Sequence, residues 1–135
     1  MYNKLTTNGY QKYKEQMVLQ ASPQELILMV YDCCIKNVKL AQLHIDSQEF
    51  EQTNKTLQKA EDCINELVMG LDFNYEIAHN LMSIYDFLLE QMVQANLKKD
   101  SSLLPPVLEI LTELREAWGQ AAKTNRMAQF AGGEA

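Results

Sequence analysis

The sequence predicts an all-α fold: an antiparallel up-down four-helix bundle with a short N-terminal amphipathic arm. Three observations predict it. The five glycines and three prolines stand where elements should start or stop rather than inside apolar runs. A capping device opens the first long apolar stretch at Ser22, and apolar residues recur at helical spacing in four successive segments. A chain of 135 residues reads as one domain, large enough to bury a core without disulfides or a metal.

The arm covers residues 1–21. Tyr10, Tyr13 and Met17 fall at i, i+3 and i+7, so Gly9 to Val18 can form a short amphipathic helix. Such an arm is either a permanent packing element or a lid over a groove. The bundle is read as residues 22–123. Its first helix has Ser22 as cap, Pro23 at the first helical position and Glu25 completing a capping box, and it runs to about Ile45. "DSQE" then offers a turn and a new cap.

The second helix, about Glu49 to Met69, places Phe50, Leu57, Ile64 and Leu71 at heptad spacing, with Thr53, Ala60 and Leu67 on the same face. Gly70 ends it. The third, about Tyr75 to Leu97, carries one stripe of Ile77, Leu81, Ile84, Leu88 and Met92 and a second of Met82, Tyr85, Leu89 and Val93. His79, Ser83, Asp86, Glu90 and Gln94 leave only a narrow polar line. In the fourth, Val107, Leu111, Leu114, Trp118 and Ala121 share a face; Pro105 and Pro106 place its start near Ser102 with the prolines in the first turn. Residues 124–135 read as a flexible tail. Short connections make neighbouring helices antiparallel.

Acidic residues outnumber basic ones by 18 to 12, a formal net charge of -6, which works against nucleic acid as a partner. Three cysteines, two adjacent at Cys33 and Cys34, do not form a disulfide framework and suit reduced, packed thiols in the cytoplasm. The N-terminal stretch has no signal-peptide core, and no segment approaches the length of a membrane span, so no membrane insertion is expected.

Two helices are more apolar than a bundle core requires. Leu26 to Tyr31 surround the first helix completely, and the third keeps only its polar line. Deep packing, a homodimer seam, coverage by the arm, or a groove for a partner helix would each use the surplus. Methionines at Met29, Met69, Met82 and Met92 suit an adaptable groove and equally serve as core filler.

Catalytic patterns are incomplete. Glu76 and His79 make one Glu-x-x-His pair, but a di-iron bundle needs two, and His44 lacks the matching glutamate. "AHNLMS" approaches the histidine phosphotransfer pattern, with Met82 and Ser83 standing where that chemistry needs Lys and Gly. There is no zinc spacing and no phosphate-binding glycine loop. The chain is read as a non-enzyme without a cofactor or metal.

The blocks "YKEQMVLQASPQELILMVYD", "LQKAEDCINELVMGLD", "YDFLLEQMVQANLKKD" and "LEILTELREAW", in that order between about Tyr10 and Lys123, resemble the FliS family of flagellar export chaperones. The most specific pieces are Ala21-Ser22-Pro23 with Leu26, Met29, Tyr31 and Asp32, then Tyr85-Asp86, Ala95-Asn96 with Lys98-Lys99-Asp100, and Leu114-Arg115 with Trp118. Cys33 stands where many relatives have Gly, and Pro105-Pro106 where they continue a helix.

The resemblance implies a cytoplasmic bundle that binds the disordered C-terminal segment of flagellin, prevents its premature polymerisation and keeps it competent for type III flagellar secretion. It implies no catalysis. Other flagellar export or regulatory proteins are further candidate partners. On this reading Leu67, Leu71, Leu81, Tyr85, Leu88 and Met92 are groove residues, and Tyr10 and Tyr13 sit on the arm. The chain is then a monomer or a weak homodimer. The rival reading is a homodimeric interaction bundle without a flagellin client.

Overall fold

The structure, a computed structural model, describes residues 9, 11, 12, 15 and 21–132, with the backbone alone over 125–132. Four long helices follow one another: α1 (Pro23–Asp46), α2 (Phe50–Met69), α3 (Glu76–Lys98) and α4 (Leu104–Gly132). A single 3-10 turn, Ser101–Leu103, leads into α4. Of the predicted arm, Gly9, Gln11, Lys12 and Glu15 are helical and exposed. Tyr10, Tyr13 and Met17 lie outside the described residues.

The first helix begins where its sequence dictates. The Ser22 hydroxyl accepts a hydrogen bond from the Glu25 N–H at 3.2 Å, and Pro23, which has no N–H to lose, opens the first turn. The expected second cap differs: Glu49 caps α2 without a side-chain bond, and the turn before it is made by Gln48 at φ 60. Helix α3 ends on Lys99 in the left-handed region, and the Asp100 N–H returns to the Ala95 carbonyl at 3.1 Å. Pro105 and Pro106 occupy the second and third positions of α4, where a helix needs no N–H donors. Where composition predicts a tail from residue 124, the backbone stays helical to Gly132; the stretch has no proline, and its alanines favour helix until the glycine pair at 132–133.

Cross-helix contacts set the directions. Ser101 Oγ donates to Asp46 Oδ1 at 2.8 Å at one end, and Arg115 reaches Asp32 further along, so α1 and α4 run antiparallel. Asn96 near the end of α3 donates to Asn54 near the start of α2 at 2.9 Å, giving the same relation for that pair. Helix α1 packs on α2 and α4, α2 on α3, and α3 on α4, which closes an up-down four-helix ring; the α1–α2 seam is the most extensive and the α3–α4 seam the least.

The core takes Tyr31, Cys34, Val38 and Ala41 from α1, Leu57, Ala60 and Ile64 from α2, Leu81, Tyr85, Leu88 and Met92 from α3, and Leu104, Val107 and Leu111 from α4. Phe50, expected in the heptad core, is instead exposed as the first residue of α2, beneath the Lys99 ammonium at 5.7 Å. Along α4 burial fades after Leu111: Leu114 and Trp118 are half-buried and Ala121 is exposed. The bundle is therefore closed at the α4 N-terminal end and open at the other.

Candidate functional site

The open end carries a pocket of about 570 Å³. Its walls are the first turns of α1 (Leu26, Ile27, Val30), the last turn of α2 with the following loop (Glu66, Leu67, Met69, Gly70, Leu71, Asp72, Tyr75), the first turns of α3 (Ile77, Ala78, Leu81, Tyr85), and Trp118 of α4. Helix starts and a helix end meet here, and among the described residues α4 contributes only Trp118 to the walls. Met69, Tyr75 and Ile77 accordingly stay 85%, 66% and 65% exposed, while Leu26 is also open to solvent. Among the described residues these side chains form one exposed apolar patch.

The loop between α2 and α3 is held in shape. His79 Nε2 lies 2.9 Å from the Phe73 carbonyl, and its ring packs on the Phe73 ring with centroids 5.2 Å apart. Asp72 Oδ1 accepts from the Asn74 N–H at 3.0 Å. His79, which the sequence offers to a metal or a phosphoryl group, is thus a clamp on the pocket wall. Among the described residues no group of three or more His, Cys, Asp or Glu side chains is arranged to hold a metal ion.

Beneath the pocket the tyrosines of α1 and α3 meet across the bundle, their hydroxyl oxygens 2.6 Å apart. Burial, reinforced by Tyr85, pushes the Tyr31 phenol well above the ordinary range. Tyr85 also rises through burial, and its bond with Tyr31 offsets part of that rise. Both phenols stay neutral and serve as hydrogen-bonding groups. The charges near the pocket mouth are acidic: Glu66 and Asp72, both exposed.

The residues expected to form a groove divide by depth. Leu67, Leu71, Leu81 and Tyr85 line the pocket. Leu88 and Met92 do not: they are fully buried, one and two turns further along α3, where all four helices close over them. Tyr10 and Tyr13 fall on the arm, outside the described residues. Leu26, Ile27, Val30, Met69, Tyr75, Ile77 and Trp118 were not among the expected set. The run Leu26–Tyr31, apolar on every side, is the signal for the first three, and Met69 is one of the methionines that suit an adaptable groove; Tyr75, the cap residue before α3, carries no periodic signal.

Residues 6–125 match the family model described as flagellar protein FliS. The chain belongs to the FliS family. Among FliS relatives, the flagellar secretion chaperone FliS of Bacillus subtilis (strain 168) is 36% identical over 93% of this chain and 95% of its own length. The protein of the same name from Salmonella typhimurium is 34% identical over 85% of this chain and 90% of its own. A crystal structure described as a flagellar chaperone from bacteria superposes with a TM-score of 0.71 at 16% identity, covering 88% of this chain and 98% of that one, and shares the all-helical fold. FliS proteins are chaperones, so this chain has a flagellar export chaperone role and is not an enzyme. No helix among the described residues is long and apolar enough to cross a membrane.

Proposed function

We propose that this FliS-family chain is a cytoplasmic export chaperone whose open-end pocket receives part of the disordered C-terminal segment of flagellin, keeping that segment from polymerising before secretion. The observation that carries the reading is the uncovered apolar pocket between the starts of α1 and α3 and the end of α2, in a chaperone whose remaining core is closed. A segment that orders on binding gives up roughly 2–5 kcal/mol, so it needs a large apolar surface in compensation. The pocket supplies the deepest part of such a surface, and a continuous segment extends beyond it along the bundle. Leu67, Leu71, Leu81 and Tyr85 then touch the client, Leu88 and Met92 support the floor from below, and Tyr10 and Tyr13 belong to an arm that competes for the surface. One chain builds the whole pocket, so a monomer suffices.

Calorimetric titration with a peptide of flagellin's C-terminal segment, with circular dichroism of the mixture, tests the reading. The expected result is saturable one-to-one binding with a gain in helicity. Met69→Glu, at the most exposed of the large apolar lining positions, should retain the helical signal and weaken binding at least tenfold, whereas removal of residues 1–16 should leave affinity equal or higher. Absence of binding up to about 100 μM, roughly -5.5 kcal/mol, overturns it.

A further inference from the structure

The loop that joins α2 to α3 supplies Gly70, Leu71, Asp72 and Tyr75 to the pocket. Its own hydrogen bonds are local: the Tyr75 N–H returns to the Asp72 carbonyl at 3.1 Å, and Asp72 Oδ1 accepts from the Asn74 N–H at 3.0 Å. Tyr75 then starts α3 without a side-chain cap. Phe73 and Asn74 make the corner of the turn and are the two loop residues that do not line the pocket. His79, in the first turn of α3, reaches back to this corner twice. Its Nε2 lies 2.9 Å from the Phe73 carbonyl, which can only accept, so the bond places a proton on Nε2 and the ring donates it. The ring also meets the Phe73 ring at 5.2 Å between centroids and 56° between planes, a tilted arrangement of the kind aromatic pairs favour. His79 itself is exposed and is not a lining residue.

We propose that His79 is a positioning residue of this pocket: acting through Phe73, it holds the α2–α3 turn in the form that presents Leu71 and Tyr75 to the occupant. The proposal rests on the pocket being the client site. A client that orders on binding already gives up conformational freedom, and a wall that had to order at the same moment would add a second loss. The clamp removes that loss, because the wall stands formed before the client arrives. A hydrogen bond alone would let the corner swing about it; the ring contact on the same residue fixes its tilt. Among the described residues no other side chain from outside the turn hydrogen-bonds to Phe73 or Asn74. Without the imidazole the corner keeps only the turn's internal bonds, which give the turn its shape and leave its angle to α3 unset.

Two variants of the full chain separate this role from a structural one. His79→Ala deletes both contacts at an exposed position while improving helix propensity, so the helical signal and the melting temperature should be retained. His79→Gln loses the ring but keeps an amide N–H that can reach the Phe73 carbonyl. Amide hydrogen exchange of the free chains, read by mass spectrometry, reports the turn; calorimetric titration with the flagellin C-terminal peptide reports affinity. In His79→Ala, exchange over residues 70–75 should quicken and binding should weaken about two- to tenfold, the range that loss of one such hydrogen bond allows. His79→Gln should recover most of that affinity, a rescue that packing of the ring alone would not give. Unchanged exchange in His79→Ala, affinity unchanged or raised there, or a loss in His79→Gln as large as in His79→Ala overturns the positioning role while leaving the client assignment in place. If the unmodified chain does not bind the peptide, the client assignment itself fails and the positioning role falls with it.

Discussion

Arg115 on α4 grips Asp32 on α1 with two donors, Nε to Oδ1 at 2.9 Å and Nη2 to Oδ2 at 3.3 Å. Both residues lie in the sequence blocks that resemble the FliS family, and the pair ties α4 to α1 one turn below Trp118. The bonds to Asp32 hold the guanidinium charge more firmly than in free arginine. Yet the side chains remain 39% and 55% exposed, so water competes for them. Arg115→Ala should therefore cost no more than about 1 kcal/mol, a fall of about 4 °C or less in melting temperature, and Arg115→Lys most of the same because it loses the fork. Thermal melts at low and high salt check this; a drop above about 10 °C would mean that the pair organises α4.

Gly119 lies one turn beyond Arg115 in the middle of α4, where glycine carries an entropic penalty. A Cβ there would meet Arg115 Nη1 at 3.4 Å and Leu28 Cδ2 at 3.9 Å, the first being the end of a flexible side chain and the second ordinary contact. Gly119→Ala should therefore stabilise the protein by about 0.5–1 kcal/mol through helix propensity. The melting temperature should rise by about 2–4 °C. A fall would show that α1 and α4 approach too closely for a methyl group.

The helix boundaries were legible because local chemistry writes them: Ser22 and Pro23 need no distant partner to start α1. The heptad of α2 was legible for a similar reason, since Leu57, Ala60, Ile64 and Leu67 have one face to bury and bury it. Helix α3 was harder. Its Ile77 and Leu88 satisfy the same period, yet one is 65% exposed and the other fully buried. Periodicity assigns a residue to a face; whether that face is covered depends on where α4 stops pressing on it, a relation between segments distant in sequence. Met69 and Tyr75, at a helix end and in a loop, had no period to betray them. The resemblance to FliS pointed to a client surface, but the depth of each side chain required the packed helices.

The three cysteines occupy different environments and should react in order. Cys33 is exposed. Cys34 is buried with its thiol 3.5 Å from the Ala60 carbonyl, and burial followed by the nearby Cys63 pushes its pKa far up. Cys63, half-buried beside the Cys33 thiol, is pushed up to about 12 by burial first. Only the thiolate reacts, so iodoacetamide at pH 8 should label Cys33 rapidly, Cys63 slowly and Cys34 only on unfolding. Mass spectrometry of the digested protein over time gives the sequence of labelling; early modification of Cys34 would mean that the α1–α2 seam opens readily.

Acid dependence offers a test with a defined sign. Asp100 is held below the ordinary carboxylate range by the Ser102 hydroxyl and N–H, so its contribution is present at neutral pH and lost as pH falls. Glu61 on α2 runs the other way. Burial, followed by the neighbouring Asp62 charge, raises its pKa above the value near 4.3 of an unfolded chain. Between the unfolded and folded values the folded state binds more protons, so stability attributable to Glu61 falls as pH rises through that window and stays reduced at pH 7. Glu61→Gln removes the ionisation while keeping the shape. Its melting temperature should exceed that of the unmodified chain at pH 7, and the difference should shrink to nothing near pH 3, where the carboxyl is protonated in both states. A gain that persists unchanged at low pH would assign the effect to packing rather than to the buried charge.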